Sequence, residues 1–86
     1  MKISFHKHFA KSYQRCSIKV RQQFKKRLIL FVEDSFNPLL ENHALHGEWL
    51  NFRSININGN YRALYHYTDE DTAEFFIIDT HSNLYD

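Results

Sequence analysis

The hydrophobic period changes along this chain, and each change marks an element. Lys2-Ile3-Ser4-Phe5 alternates polar and apolar side chains, which predicts a short strand. From His6 the spacing becomes helical. Phe9 and Tyr13 stand four apart with lysines between them, so a helix is predicted over 6–15. Ser17 is placed to cap a second helix over 18–34. Its core-facing stripe is Val20, Phe24, Leu28 and then Phe31 or Val32. Pro38 ends the helical part, and Leu39, Leu40 and Leu45 can anchor the following loop on a core.

The period then falls to two. Trp49 to Ile57 and Tyr61 to Thr68 read as strands joined by Asn58-Gly59-Asn60, residue types that tolerate positive φ in a hairpin turn. Asp69-Glu70-Asp71 is an acidic turn. Ala73 to Thr80 is a further strand, apolar in its centre and therefore interior. His81 to Asp86 is a terminal segment. The expected fold is α+β: an N-terminal strand and a helical hairpin packed on a mainly antiparallel four-stranded sheet. The last three strands form a meander, and the first joins the sheet through the helical crossover. The sheet face away from the helices is expected to lie open to a partner. The chain is read as one domain over 1–86.

Composition sharpens this reading. A chain 43% hydrophobic and 16% aromatic has the material for a folded core, with rings to spare for a binding surface. The single cysteine, Cys16, cannot form an intramolecular disulfide and reads as a small helix residue. No apolar run has the length of a membrane span, and the N-terminus lacks the apolar core of a signal peptide, so a cytoplasmic protein is expected. The net charge of +1 hides a division. Residues 1–30 hold Lys2, Lys7, Lys11, Arg15, Lys19, Arg21, Lys25, Lys26 and Arg27 with no acid, which is +9. The rest sets Arg53 and Arg62 against all 10 Asp and Glu, which is −8. A basic helical face for an anionic partner and a solvated face balanced within the fold both fit.

The candidate chemistry lies in the second half. A guanidinium matches the oxygens of a phosphate, and Arg62 sits in a run of aromatics with no acid within six residues along the chain. Arg53 stands on the neighbouring strand. His43, His46, His66 and His81 bring imidazoles, which exchange protons near neutrality, although a loop histidine is more often only a polar surface group. Tyr85 and Trp49 have rings able to stack on bases or to pack in a core. His43 and His46 have no cysteine nearby to build a zinc site, His6 and His8 complete no ligand set, and Gly47 and Gly59 alone cannot form a phosphate loop. No metal or cofactor is expected.

Three stretches in order resemble the RelE/ParE superfamily of bacterial type II toxins, nearest in pattern to RelE/StbE and YafQ-like mRNA interferases. They are His43-x-Leu45-x-Gly47 leading into Arg53-Ser54-Ile55-Asn56-Ile57, then Gly59-Asn60-Tyr61-Arg62-Ala63-Leu64-Tyr65, and the ending Thr80-His81-Ser82-Asn83-Leu84-Tyr85. The resemblance implies a metal-independent endoribonuclease that cuts mRNA in the ribosomal A site. It also implies a cognate antitoxin, with operator DNA bound only through the toxin–antitoxin complex. Carried over by position, Arg62 would stabilise the transition state, and His81 would be a general acid or base. Tyr85 would orient or stack on the substrate, and His43 would be the second acid/base group. Arg53 is taken as substrate-binding, together with Lys25 and Lys26. The sequence also departs from the pattern. Asn56 stands where YafQ-like enzymes tend to carry histidine, and Asn60-Tyr61 where they carry Asp-Trp. Ser54 and Asn56 replace the charged catalytic strand of RelE. ParE-like relatives share the fold and inhibit DNA gyrase instead, and a degenerate toxin would keep only its partner binding.

Overall fold

The computed structural model describes residues 1–85. Asp86, the last residue of the terminal segment and of the domain read over 1–86, lies outside the described residues. The elements run β1 (Lys2–Phe5), α1 (Lys7–Arg15), α2 (Ile18–Glu33), β2 (His43–Ala44), β3 (Arg53–Asn56), β4 (Tyr61–Asp69), β5 (Thr72–Thr80) and α3 (His81–Tyr85). Short 3-10 turns at Pro38–Leu40 and Gly47–Trp49 flank β2.

Both long helices begin on side-chain caps. His6 Nδ1 accepts the His8 amide, and Ser17 Oγ accepts the Val20 amide at 3.2 Å. The buried stripe of α2 is Val20, Phe24 and Phe31. Val32, the alternative to Phe31, turns outward.

The sheet order is β1-β5-β4-β3-β2, with β1 parallel to β5 and every other pair antiparallel. Because β1 stops at Phe5, the second half of β5 has no strand on that side. Helix α1 takes its place: buried Ser12 Oγ accepts the Ile78 amide at 3.1 Å while donating to the Phe9 carbonyl. Between this sheet and the helices lies an aromatic core. Phe9, Phe24, Phe31, Tyr65 and Phe75 have neighbouring ring centroids 4.9–5.9 Å apart.

Four details differ from the sequence reading. The sheet has five strands, because His43–Ala44 pairs with Ser54 and Arg53. The third strand begins at Arg53 rather than Trp49, since Gly47 (φ 65°) and Asn51 (φ 75°) turn the intervening chain away from the sheet. The hairpin tip needs no positive φ. Asn58 Oδ1 accepts the amides of Asn60 and Tyr61, both at 2.8 Å, and closes it. Finally, the face away from the helices is partly covered. Leu64 points there, between Ala63 and Tyr65 of the core face, and packs with Leu45, Leu84, Trp49, Phe52, Ile77 and Tyr85.

Candidate functional site

Strand alternation decides which side chains share that second face. Asn56 opposes Arg62, Ser54 opposes Leu64, and His43 opposes Ser54. His43, Ser54, Asn56, Leu64 and Arg62 therefore project together on the side away from the helices. Arg53 opposes core-facing Tyr65 and projects to the other side.

Arg62 is partly buried and unpaired with any carboxylate among the described residues. Its Nη1 donates to the carbonyls of Asn58 (2.9 Å) and Tyr61 (3.0 Å). Asp79 stands opposite it on β5, yet the Asp79 carboxylate takes the Thr80 amide and the Asn83 side chain instead. The ion pairs among the described residues are the Met1 amine with Asp71 and His66 with Glu74. The guanidinium is held in place by two carbonyls while its charge stays free for an anion.

His81 opens α3, and its amide donates to Asn60 O at 2.8 Å. Its exposed imidazole meets the Tyr85 ring edge-on, centroids 4.7 Å apart. Helix α3 is pinned over the face by Trp49, whose Nε1 donates to Leu84 O at 2.9 Å. Trp49 thus serves packing. The Tyr85 hydroxyl and the Ser54 Oγ on the same face are buried without a hydrogen-bond partner among the described residues.

His43 lies at the mouth of an elaborately held loop. Its Nδ1 meets the Glu41 carbonyl at 2.8 Å. Glu41 has φ 46°, a left-handed backbone uncommon outside glycine, and its carboxylate accepts the Asn56 amide. Asn42 anchors the loop. Its amide nitrogen donates to Ser35 O and to the Tyr65 hydroxyl, both at 2.8 Å, and its oxygen accepts Arg53 Nε at 2.9 Å. The Arg53 guanidinium also sits over the Phe36 ring at 5.3 Å. Burial pushes the Tyr65 hydroxyl pKa up, and the Asn42 bond works against that rise.

Strand pairing accordingly puts His43 and Arg62 on one face, α3 packs Tyr85, with His81 against its ring, onto the Leu64 cluster of that face, and three expected residues lie elsewhere. Arg53 braces the His43 loop from the helix side. Lys25 and Lys26 are exposed on α2, across the sheet. Exposed His46 precedes the second 3-10 turn, and His66 pairs with Glu74 at 2.8 Å and stacks on Phe52. Glu41 and Asn42 were not singled out from the sequence. A lone Glu-Asn after a leucine pair has no local signal, because the left-handed turn is imposed by tertiary bonds. No group of three His, Cys, Asp or Glu side chains suited to a metal ion occurs among the described residues.

Solved structures share this fold. YafQ from E. coli strain BL21(DE3) superposes with a TM-score of 0.81 at 17% identity, covering 99% of this chain and 98% of that one. The YoeB/ParE toxin from Agrobacterium tumefaciens gives 0.76 at 18%, covering 94% and 99%. The toxin–antitoxin complex RelBE2 from Mycobacterium tuberculosis gives 0.65 at 19%, covering 93% and 96%. The fold is that of the RelE/ParE-like type II toxins. No protein-family model and no curated protein matches the sequence. Of the positions where the sequence departs from the YafQ-like pattern, Asn56 stands on the face just described, Asn60 lies in the hairpin turn before Arg62, and Tyr61 packs against the helix-side core. Asn56 is occupied with Glu41, and the Asn60 carbonyl holds the start of α3.

Proposed function

We propose that this chain is the toxin of a type II toxin–antitoxin pair and a metal-independent endoribonuclease. Its substrate is mRNA in the ribosomal A site. Its activity is blocked by a cognate antitoxin, and operator DNA is met only through that complex. The observation that carries this reading is Arg62, a cation fixed by two carbonyls and without a carboxylate partner among the described residues, on the sheet face that also carries His43 and that α3, with His81 and Tyr85, packs against.

The reaction asks for three things. The ribose 2′-hydroxyl must lose a proton, the leaving 5′-oxygen must gain one, and the charge on the phosphorane must be met by a cation. His43 and His81 are the two proton carriers, and Arg62 faces the phosphorane. Tyr85 positions His81 and offers its ring to a base. The likeness to toxin folds supports the partner, since the RelBE2 neighbour is itself a toxin–antitoxin complex.

The test is a translating extract supplied with the purified chain and a defined mRNA. Fragments bearing 5′-hydroxyl and 2′,3′-cyclic phosphate ends are expected. Arg62→Ala should slow their appearance by about 100-fold or more, the scale for losing a transition-state charge contact. Uncut mRNA with the folded wild-type chain would overturn the proposal.

A further inference from the structure

We propose that Glu41 is a positioning residue whose backbone makes His43 the proton acceptor of the site and leaves His81 as the proton donor. This rests on the ribonuclease reading above. A carbonyl oxygen can only accept a hydrogen bond. His43 Nδ1, 2.8 Å from Glu41 O, must therefore carry the proton. A neutral imidazole has one N–H, so Nε2 is left with a bare lone pair.

The geometry is built rather than incidental. Glu41 closes the Pro38–Leu40 turn in the left-handed region, with its amide on Pro38 O. Its carboxylate is tied to Asn56, which stands opposite Arg62. The next residue, Asn42, is fixed by Ser35, Tyr65 and Arg53. A non-glycine residue held at positive φ between two anchored positions marks stored strain, and such strain gathers at working sites. What this strain accomplishes is to aim one carbonyl at His43.

The step then balances. His43 Nε2 takes the 2′-hydroxyl proton as the 2′-oxygen bonds to phosphorus. The bond from phosphorus to the 5′-oxygen breaks, and its electron pair stays on that oxygen, which takes a proton from the His81 imidazolium. A 2′,3′-cyclic phosphate and a 5′-hydroxyl result, and the two histidines exchange their protons with water to reset.

Nitrogen NMR of the imidazoles reads the tautomer directly, independent of activity. In the folded wild-type chain neutral His43 is expected as the Nδ1–H form, although the Nε2–H form is the commoner one in water. Glu41→Gly tolerates the left-handed backbone, and Glu41→Gln keeps the side-chain length. Both should keep the Nδ1–H tautomer of His43. Glu41→Ile, β-branched, resists positive φ, so it should lose the Nδ1–H form and slow cleavage by about tenfold to 100-fold. If Glu41→Ile does not fold, the wild-type tautomer still decides. An Nε2–H form there overturns the proposal whether or not RNA is cut. Loss of the Nδ1–H form in Glu41→Gly, which keeps the left-handed backbone and the carbonyl, would overturn it too. An Nδ1–H form in a wild-type chain that leaves mRNA whole would instead sink the ribonuclease reading, and the proton-acceptor role with it.

Discussion

Asn42 shows how much of the site depends on one side chain. It makes three hydrogen bonds that tie the loop before β2 to the buried Tyr65, to Ser35 and to Arg53. Asn42→Ala is expected to cost about 2–3 kcal/mol of stability, from lost bonds and the polar groups left without partners. Denaturant unfolding would measure it. Tyr65 adds a pH signature. Its folded pKa is raised by burial, so the protonated phenol favours the fold. That contribution is whole below the unfolded value of about 10 and is lost as pH rises through the higher folded value. Wild-type stability should therefore fall more steeply above about pH 10 than that of Tyr65→Phe. Residue type made Arg62, His81 and Tyr85 legible as candidates. The opposite fate of Arg53 was hidden until pairing with Tyr65 fixed its side of the sheet, because a shift of one residue reverses every side chain.

At the scale of elements, α3 is the least self-sufficient piece. Five residues cannot form a stable helix alone, so it depends on the Leu84 contacts and on the bond from Trp49 Nε1 to Leu84 O. Trp49→Phe keeps most of the packing and removes the bond. It should cost about 1 kcal/mol, raise hydrogen exchange at α3 and slow RNA cleavage, with the β4–β5 amides still protected. Retained cleavage with a loosened α3 would argue against any role for His81 and Tyr85. The other dependent contact is between α1 and β5. Ser12→Ala would leave the Ile78 amide buried without an acceptor and should cost about 1–3 kcal/mol. Cys16, buried one turn further on with its thiol pushed up first by burial, should stay unreactive to alkylation until the protein unfolds. The helices and the two long strands were readable because their apolar periods run for several turns or pairs. The two-residue strand, the late start of β3 and the terminal helix were not, since each is shaped by contacts distant in sequence.

In the whole molecule, charge and structure divide along the same line. The segment that builds β1, α1 and most of α2 carries +9, and the segment that builds the site carries −8. No helix among the described residues is long and apolar enough to cross a membrane. A chain with this polarity should engage RNA-rich particles in a salt-dependent way, with affinity falling as ionic strength rises. The lysines that sequence reasoning gave to the substrate stand on the helix side, away from Arg62, so any contribution they make to such binding is separate from the chemistry. The proposed function has the face that carries Arg62, with His81 beside it on α3, cut translated mRNA. Its most direct test is a map of 5′ ends on cellular mRNA shortly after the protein is induced, set beside His81→Ala. New ends within reading frames that vanish in His81→Ala are the result expected here. Growth arrest with no new ends, accompanied by altered DNA supercoiling, would contradict the account and move the fold's activity from RNA to gyrase.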